Sequence, residues 1–363
     1  LSKSRGDRVQ MYNVIRSQEL RAHGVHSRVV KSAVDCCLLR LTRGMYSVIR
    51  RCENPQHARI AELITDEDWL RRVREHAQST QKHDYEYADL LEKLKIASYP
   101  HYRVDDVICG VSAARIHDLP LYRVGTQRIH IASPSHRLRT GIVSRTTREV
   151  PAADTVMVGK MRLTSPALTS LDLIPQIGEP GAFAAMESVV RRSVFGAEEA
   201  SAGRFGYPPD VGQLERKAVE EHFAPVLARL PKGRARAARL IGRIGARSES
   251  YAESRCSYNL SLLGLCGFEQ QVQVHEKGRL VARVDFMDRV AKTVLFVDGA
   301  AKYVENGGAR LQKEATQFNR LVALGYRIVR FTFAEVMDLE AFATKLYGQA
   351  PWLRGRVTRN RSV

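Results

Sequence analysis

The chain has 363 residues, enough for two or three domains at roughly 150 residues each. With 44% hydrophobic and 26% charged residues it can bury more than one core, which excludes a chain disordered by composition. Lys and Arg number 57 against 39 Asp and Glu, a net charge of +18, so a polyanionic partner is expected: DNA, RNA or an acidic protein. No run approaches about 18 apolar residues and the first residues carry no apolar signal-type segment. Neither a membrane span nor a secretory signal is therefore expected, and the expected compartment is the cytoplasm.

Residues 1–51 hold 11 Lys or Arg and 3 Asp or Glu, the densest basic stretch that also patterns as folded. Ser17 is placed to cap a short helix, QELRAHG, closed by Gly24. After a turn at Val25-His26, Ser27 is placed to cap a second helix, RVVKSAVDCC. Two short helices joined by a tight turn form a helix-turn-helix pattern. On the second, Val29, Val30, Ala33, Val34 and Cys37 make an apolar side, leaving Arg28, Lys31, Ser32 and Asp35 outward. Arg28 and Lys31 suit guanine edges or phosphates, and Ser32 suits either. LLRLTRGMYSVI then patterns as a hairpin turning at Thr42-Arg43-Gly44, the wing of a winged helix, with Arg40 and Arg43 placed for the DNA backbone or minor groove. The competing expectation is a small helical bundle whose basic residues are only solvated.

Six cysteines, Cys36, Cys37, Cys52, Cys109, Cys256 and Cys266, show neither C-x-x-C nor Cys/His ligand spacing. They are expected to be small buried residues, with no metal and no disulfide framework. Over residues 59–100, DEDWLRRVREHA and DYEYADLLEKLKIA predict two amphipathic connecting helices. Short β-rich runs follow (QRIHIAS, TGIVSRTT, VMVGKMRLTS), then a helical stretch, GAFAAMESVVRRSVF. From Arg229 to Arg247 seven basic residues and no acid predict a basic helix. Its Arg234, Arg236, Arg239 and Arg243 either grip phosphates or an acidic partner or belong to a solvated linker. From about residue 248 the order is helix, hairpin, strand, helix, strand, helix. The tail adds Arg354, Arg356, Arg359 and Arg361.

The first segment resembles the N-terminal winged helix of AbiEi-family antitoxins, through Ser17, Glu19, Leu20 and Gly24, then Leu38, Arg40, Gly44 and Tyr46. VSAARIHDLPL and LTSPALTSLDL extend the likeness through Ser112, Ala113, Ala114, His117, Leu119, Thr164, Ser165, Pro166, Thr169 and Asp172, with Leu168 where relatives carry Arg. The resemblance implies a type IV antitoxin that neutralises a nucleotidyltransferase-like toxin and represses its own operon. From the residues alone, Thr164 and Ser165 before Pro166 mark a helix N-terminus and His117 is a structural histidine. That makes the middle module scaffold and contact surface.

Glu253 on a helix, Asp285 ending a strand, and TVLFVDG leading to Lys302 and Tyr303 resemble the very-short-patch-repair-like branch of the PD-(D/E)XK nuclease fold. Such enzymes converge two or three carboxylates on Mg²⁺. Relatives carry E-x-D-G on the central strand, whereas here Phe296-Val297-Asp298-Gly299 stands there. Residues two apart on a strand share a face, so Phe296 occupies the place of the second ligand. The expectation is a degenerate nuclease fold with no resident metal. If it is an enzyme, Glu253, Asp285, Asp298 and Lys302 carry the reaction with Mg²⁺.

The expected fold class is therefore α/β (α+β): a winged helix over 1–58, a helical connector over 59–100 and an AbiEi-like α/β domain over 101–225. A basic helix over 226–247, a degenerate endonuclease-like domain over 248–348 and a basic tail over 349–363 complete it. The expected partners are operator DNA and a cognate toxin, with no membrane and a homodimer on DNA. The alternatives are a metal-dependent endonuclease or a stand-alone repressor.

Overall fold

The computed structural model describes residues 11–34, 36–78, 85–125, 128–196, 207–298 and 308–357, without the side chains of 11, 308–311, 313 and 314. The described residues form a mixed α/β structure with three sheets. The chain divides into two units, residues 1–118 with 123–169, and residues 119–122 with 170–363. Among the described residues no helix is long and apolar enough to cross a membrane.

The first unit opens with β1 (Val14–Arg16), α1 (Ser17–Ala22), α2 (Ser27–Ala33), β2 (Leu38–Thr42) and β3 (Met45–Val48). The strands form an antiparallel sheet in the order β1-β3-β2. Gly24 closes α1 with φ +71°, a conformation a side chain disfavours, and the Val25 amide returns to the Leu20 carbonyl (2.9 Å). Gly44, φ +81°, makes the hairpin turn where the sequence places it. The second helix is shorter than expected: Val34 turns extended and forms an isolated bridge with Leu38, and the amides of Cys36 and Cys37 both fold back on the Ala33 carbonyl. Caps differ too, since His26 rather than Ser27 precedes α2, and the Arg16 amide donates to Glu19 Oε2 (2.7 Å) at the start of α1.

The core under these helices is small: Ile15, Leu20, Val25, Ala33, Cys37, Leu38, Val48 and Ile60. Leu20 is wholly buried, so its truncation to Ala costs about 2–5 kcal/mol. The two predicted connecting helices, α3 (Glu67–Gln78) and α4 (Tyr85–Ser98), are more than a connector. Trp69, Tyr87 and Leu94 pack with Val14, Leu41 and Met45 of the first sheet, and the Trp69 indole donates to Ser47 Oγ (2.8 Å).

The rest of this unit is a six-stranded mixed sheet with the order β6-β7-β5-β4-β9-β8. Its strands are β4 (Val107–Ile108), β5 (Ile129–Ser133), β6 (Leu138–Arg139), β7 (Val143–Thr147), β8 (Thr155–Val158) and β9 (Met161–Thr164). Helix α5 (Gly110–Ile116) lies between β4 and β5 in sequence and adds Ala113 to a core of Ile108, Ile129, Ile131, Val143 and Leu163. Arg145 and Asp106 form a buried bidentate pair (3.0 and 2.6 Å) that pins β7 to the segment before β4.

The second unit begins within α6 (Pro166–Asp172) and continues through α7 (Ile174–Phe195), broken at Gly178 with φ +82°, and α8 (Val211–Arg229). The basic helix α9 spans only Arg234–Ile241, because Pro231 and Gly233 separate it from α8 and Gly242 and Gly245 follow its end. Then come α10 (Tyr251–Leu262), β10 (Glu269–Glu276), β11 (Arg279–Asp288), β12 (Thr293–Val297), α11 (Gly308–Ala323), β13 (Arg327–Phe331), α12 (Phe333–Met337) and α13 (Leu339–Gln349). The sheet runs β10-β11-β12-β13, antiparallel except for the parallel β12/β13 pair, which needs the α11 crossover. Apolar clusters line it: Phe286, Leu295, Val297, Val329 and Phe331 pack with α10, α12 and α13, and Val272, Val284, Met287 and Val294 pack with Leu321 of α11.

Candidate functional site

The short helix α2 leaves Arg28 and Lys31 exposed while Val29 and Val30 pack inward and Ala33 is buried. Arg40 in β2 and Arg43 at the hairpin turn are exposed as well. Four exposed cations thus stand on one helix and one hairpin of the same small module. Ser32 is exposed too and has contacts within the module. Its hydroxyl donates to the Val29 carbonyl (3.0 Å) and lies 3.2 Å from His57 Nε2. Asp35 lies outside the described residues.

On α9, Arg236 and Arg239 both pair with Glu179, at 2.5 and 3.0 Å, and Tyr258 donates to the other oxygen of that carboxylate (2.9 Å). Two of the four arginines expected to reach a partner therefore hold α9 to α7. Arg234 is exposed and Arg243 half-buried. In the tail, Arg356 pairs with Asp288 (3.3 Å), and Arg359 and Arg361 lie outside the described residues.

In the second unit the nuclease-like carboxylates are committed to the fold. Ser250 caps α10 by accepting from the Glu253 amide (3.2 Å), and its hydroxyl donates back to Glu253 Oε1 (3.0 Å). Glu253 Oε2 also accepts from the Glu249 amide (2.9 Å) and from the Gln271 amide group (2.7 Å). Burial first, then the neighbouring Asp285 charge, raise the Glu253 carboxyl to about 7. Gln271 reaches it from a left-handed backbone (φ +56°) inside β10, and its carbonyl accepts from Arg283 (2.7 Å). Asp285 Oδ2 accepts from the Val297 amide (2.8 Å), tying β11 to β12.

Phe296 packs into the apolar cluster beside α11, with the Arg330 guanidinium 5.6 Å above its ring. A partly buried aromatic ring thus stands two residues before Asp298. Asp298 lies 3.9 Å from Arg330, and Lys302 is outside the described residues. His117 Nε2 sits 2.8 Å from the Thr164 carbonyl, Thr164 and Thr169 share a hydroxyl contact (2.7 Å), and Ser165 Oγ accepts from the Leu168 amide (3.3 Å). These three observations fit a histidine and a helix start that serve structure.

The cysteines are where the sequence reading needs correction. Cys36 and Cys52 are half-buried and Cys266 is exposed, so half of the six are not core residues. Cys36, Cys37, Cys52 and His57 bring three sulfurs and one ring nitrogen within 4.8 Å of one another, the only such group of metal-ligating side chains among the described residues. Arg50, donating to Cys36 Sγ (3.2 Å), lowers that thiol's pKa, while burial pushes Cys37 up to about 12. The missed signal is four soft ligands within 22 residues, spaced C-C-x14-C-x4-H. Comparison of the chain with family models, with curated proteins and with solved structures gives no match.

Proposed function

We propose that the chain is a DNA-binding repressor whose first module is a winged helix, and that it acts as the antitoxin of a type IV toxin–antitoxin pair. In this reading it represses its own operon and uses its later modules to meet a nucleotidyltransferase-like toxin. One observation carries the DNA contact: Arg28 and Lys31 on α2 are exposed alongside Arg40 and Arg43 on the β2/β3 hairpin, in a module ordered strand, helix, helix, hairpin. The toxin partner rests on the resemblance of the 111–121 and 163–173 motifs.

The test is a gel shift on the protein's own upstream region across a salt series. Arg28→Ala with Lys31→Ala is expected to weaken binding and to flatten the log–log salt slope by about 0.9 for each phosphate the variant no longer neutralises. Unchanged binding rejects the winged-helix reading. Co-purification with the product of a neighbouring nucleotidyltransferase-like gene tests the antitoxin part; its absence rejects that part alone.

A second reading, a Mg²⁺-dependent endonuclease, draws on the closeness of Glu253, Gln271 and Asp285. We hold it second because Glu253 already accepts three hydrogen bonds within the protein and Phe296, not a carboxylate, stands two residues before Asp298. Cleavage of supercoiled DNA with Mg²⁺ or Mn²⁺, abolished by Asp285→Ala, would reverse that order.

A further inference from the structure

We infer that Cys36, Cys37, Cys52 and His57 form a closed zinc site that fastens the end of α2 to the chain leaving the hairpin. The inference stands on these residues alone and holds whether or not the module binds DNA. A tetrahedral zinc ion with Zn–S of about 2.3 Å and Zn–N of about 2.0 Å requires donor atoms some 3.5–3.8 Å apart. Here Cys36 Sγ and Cys52 Sγ are 3.3 Å apart, Cys52 Sγ and His57 Nδ1 3.3 Å, and Cys37 Sγ and His57 Nδ1 3.7 Å. Three of the six donor–donor edges therefore already lie near the required lengths, and all four donors lie within 4.8 Å of one another, so small side-chain shifts complete the tetrahedron.

The surroundings of the ligands support the same assignment. His57 is buried, and its Nε2 faces Ser32 Oγ at 3.2 Å. Because that hydroxyl spends its proton on the Val29 carbonyl (3.0 Å), it can only accept from the ring. The proton is thereby placed on Nε2, leaving the Nδ1 lone pair directed at the three sulfurs, which is how an outer partner fixes the tautomer of a ligating histidine. Three thiolates and a neutral imidazole around Zn²⁺ carry a net charge of −1, and Arg50, donating to Cys36 Sγ at 3.2 Å, supplies the compensating cation. Three sulfurs with one nitrogen favour zinc over Mg²⁺ or Ca²⁺, which take oxygen ligands. Four protein donors leave no open position, so the site is structural and not catalytic.

The placement also explains a need. Cys36 and Cys37 follow α2, Cys52 follows β3, and His57 ends a short 3₁₀ turn at Pro55–His57, so the ion would join three segments of a module with few fully buried apolar residues. Small domains with little core commonly rely on such a staple.

The test uses the full chain, purified under reducing conditions and analysed for metal by mass spectrometry. About one equivalent of zinc per chain is expected. A mercurial that modifies the thiols should release it, and substitution with Co²⁺ should give the intense visible absorption of a tetrahedral thiolate site. Cys52→Ser and His57→Ala should lose the metal, whereas Cys266→Ser, outside the group, should keep it. Since ligand variants can misfold, Ser32→Ala provides a folded probe: it leaves all four donors and should weaken zinc binding about 10–100-fold against a chromophoric chelator. The assignment is overturned by a wild-type protein that takes up no zinc on anaerobic addition, by full zinc retention in Cys52→Ser, or by unchanged affinity in Ser32→Ala.

Discussion

The N-terminal module and the β10–β13 domain handle converging polar groups in opposite ways. In the β10–β13 domain, Glu253 meets three internal donors, Asp285 takes a strand amide, and the aromatic Phe296, two residues before Asp298, packs into an apolar cluster. In the N-terminal module three sulfurs and a histidine nitrogen face one another, and the other ring nitrogen is held by Ser32. Carboxylates that already accept hydrogen bonds from their own fold have fewer lone pairs to offer Mg²⁺, whereas sulfur and nitrogen donors paired at 3.3–3.7 Å are arranged for a shared ion. The contrast teaches that resemblance to a metal-dependent fold and capacity to bind metal are separate matters. Donor atoms not already committed to the protein decide the second.

Removing the staple is the largest perturbation this contrast predicts. Zinc binding contributes on the order of 10 kcal/mol to small zinc modules, far more than a core the size of this one can replace. Stripping the metal is therefore expected to abolish hydrogen-exchange protection of the Val25 and Ile49 amides, while the β12/β13 amides keep theirs. Equal loss in both regions would break the comparison.

The second unit has its own sensitivity, to pH. Burial raises the Glu187 carboxyl from its ordinary 4.5 to about 8, so the folded protein keeps it neutral where the unfolded chain ionises it. Because the folded value is the higher one, its contribution to stability is whole below pH 4.5, falls as pH rises, and is gone by about pH 8. At about 1.36 kcal/mol per unit the total is on the order of 5 kcal/mol. Denaturant titrations of Glu187→Gln should show a flatter dependence between these limits and a higher relative stability at pH 8. A slope identical to wild type would mean the carboxyl ionises in the folded state.

Binding by the first module should be sensitive where stability is not. Arg28→Ala with Lys31→Ala is expected to cost about 2–6 kcal/mol of DNA affinity, since each of the two charge-assisted contacts contributes about 1–3 kcal/mol. Both side chains are exposed, so thermal unfolding should move by no more than about 0.5 kcal/mol. Zinc content should be unaffected, which separates a weakened DNA contact from removal of the staple.

What could be read from the sequence follows from how local the determinants are. The turns at Gly24 and Gly44 were legible because each needs a positive φ that glycine alone tolerates cheaply, and the order of elements from residue 251 was legible from strand alternation and helical periodicity. The end of α2 was not, because Val34 leaves the helix to bridge Leu38, and nothing in the apolar period from Val29 to Cys37 signals that. The Cys/His group was hidden for a related reason: its donors come from three segments, and its adjacent cysteines match no familiar ligand spacing. Gln271 adopts a left-handed conformation that its residue type does not announce. The partners of Arg236 and Arg239 lie 57 and 60 residues away, beyond the reach of any local pattern.

Those two arginines carry the smallest expected effect. Arg236 and Arg239 are about half exposed, at 50% and 53%, and share one oxygen of Glu179, so water screens both pairs. Removing both should cost no more than about 1 kcal/mol of stability, and Arg234→Ala, at an exposed position, should cost nothing measurable. The informative quantity is nucleic-acid affinity in the same variants. If α9 is a phosphate grip, Arg234→Ala should weaken binding more than Arg236→Ala, because Arg236 must first give up Glu179. If α9 only fastens the chain to α7, Arg236→Ala lowers stability slightly and neither change alters affinity or the salt slope. A stability difference without an affinity difference would thus reduce the basic helix to a strut and leave the DNA contact with the first module alone.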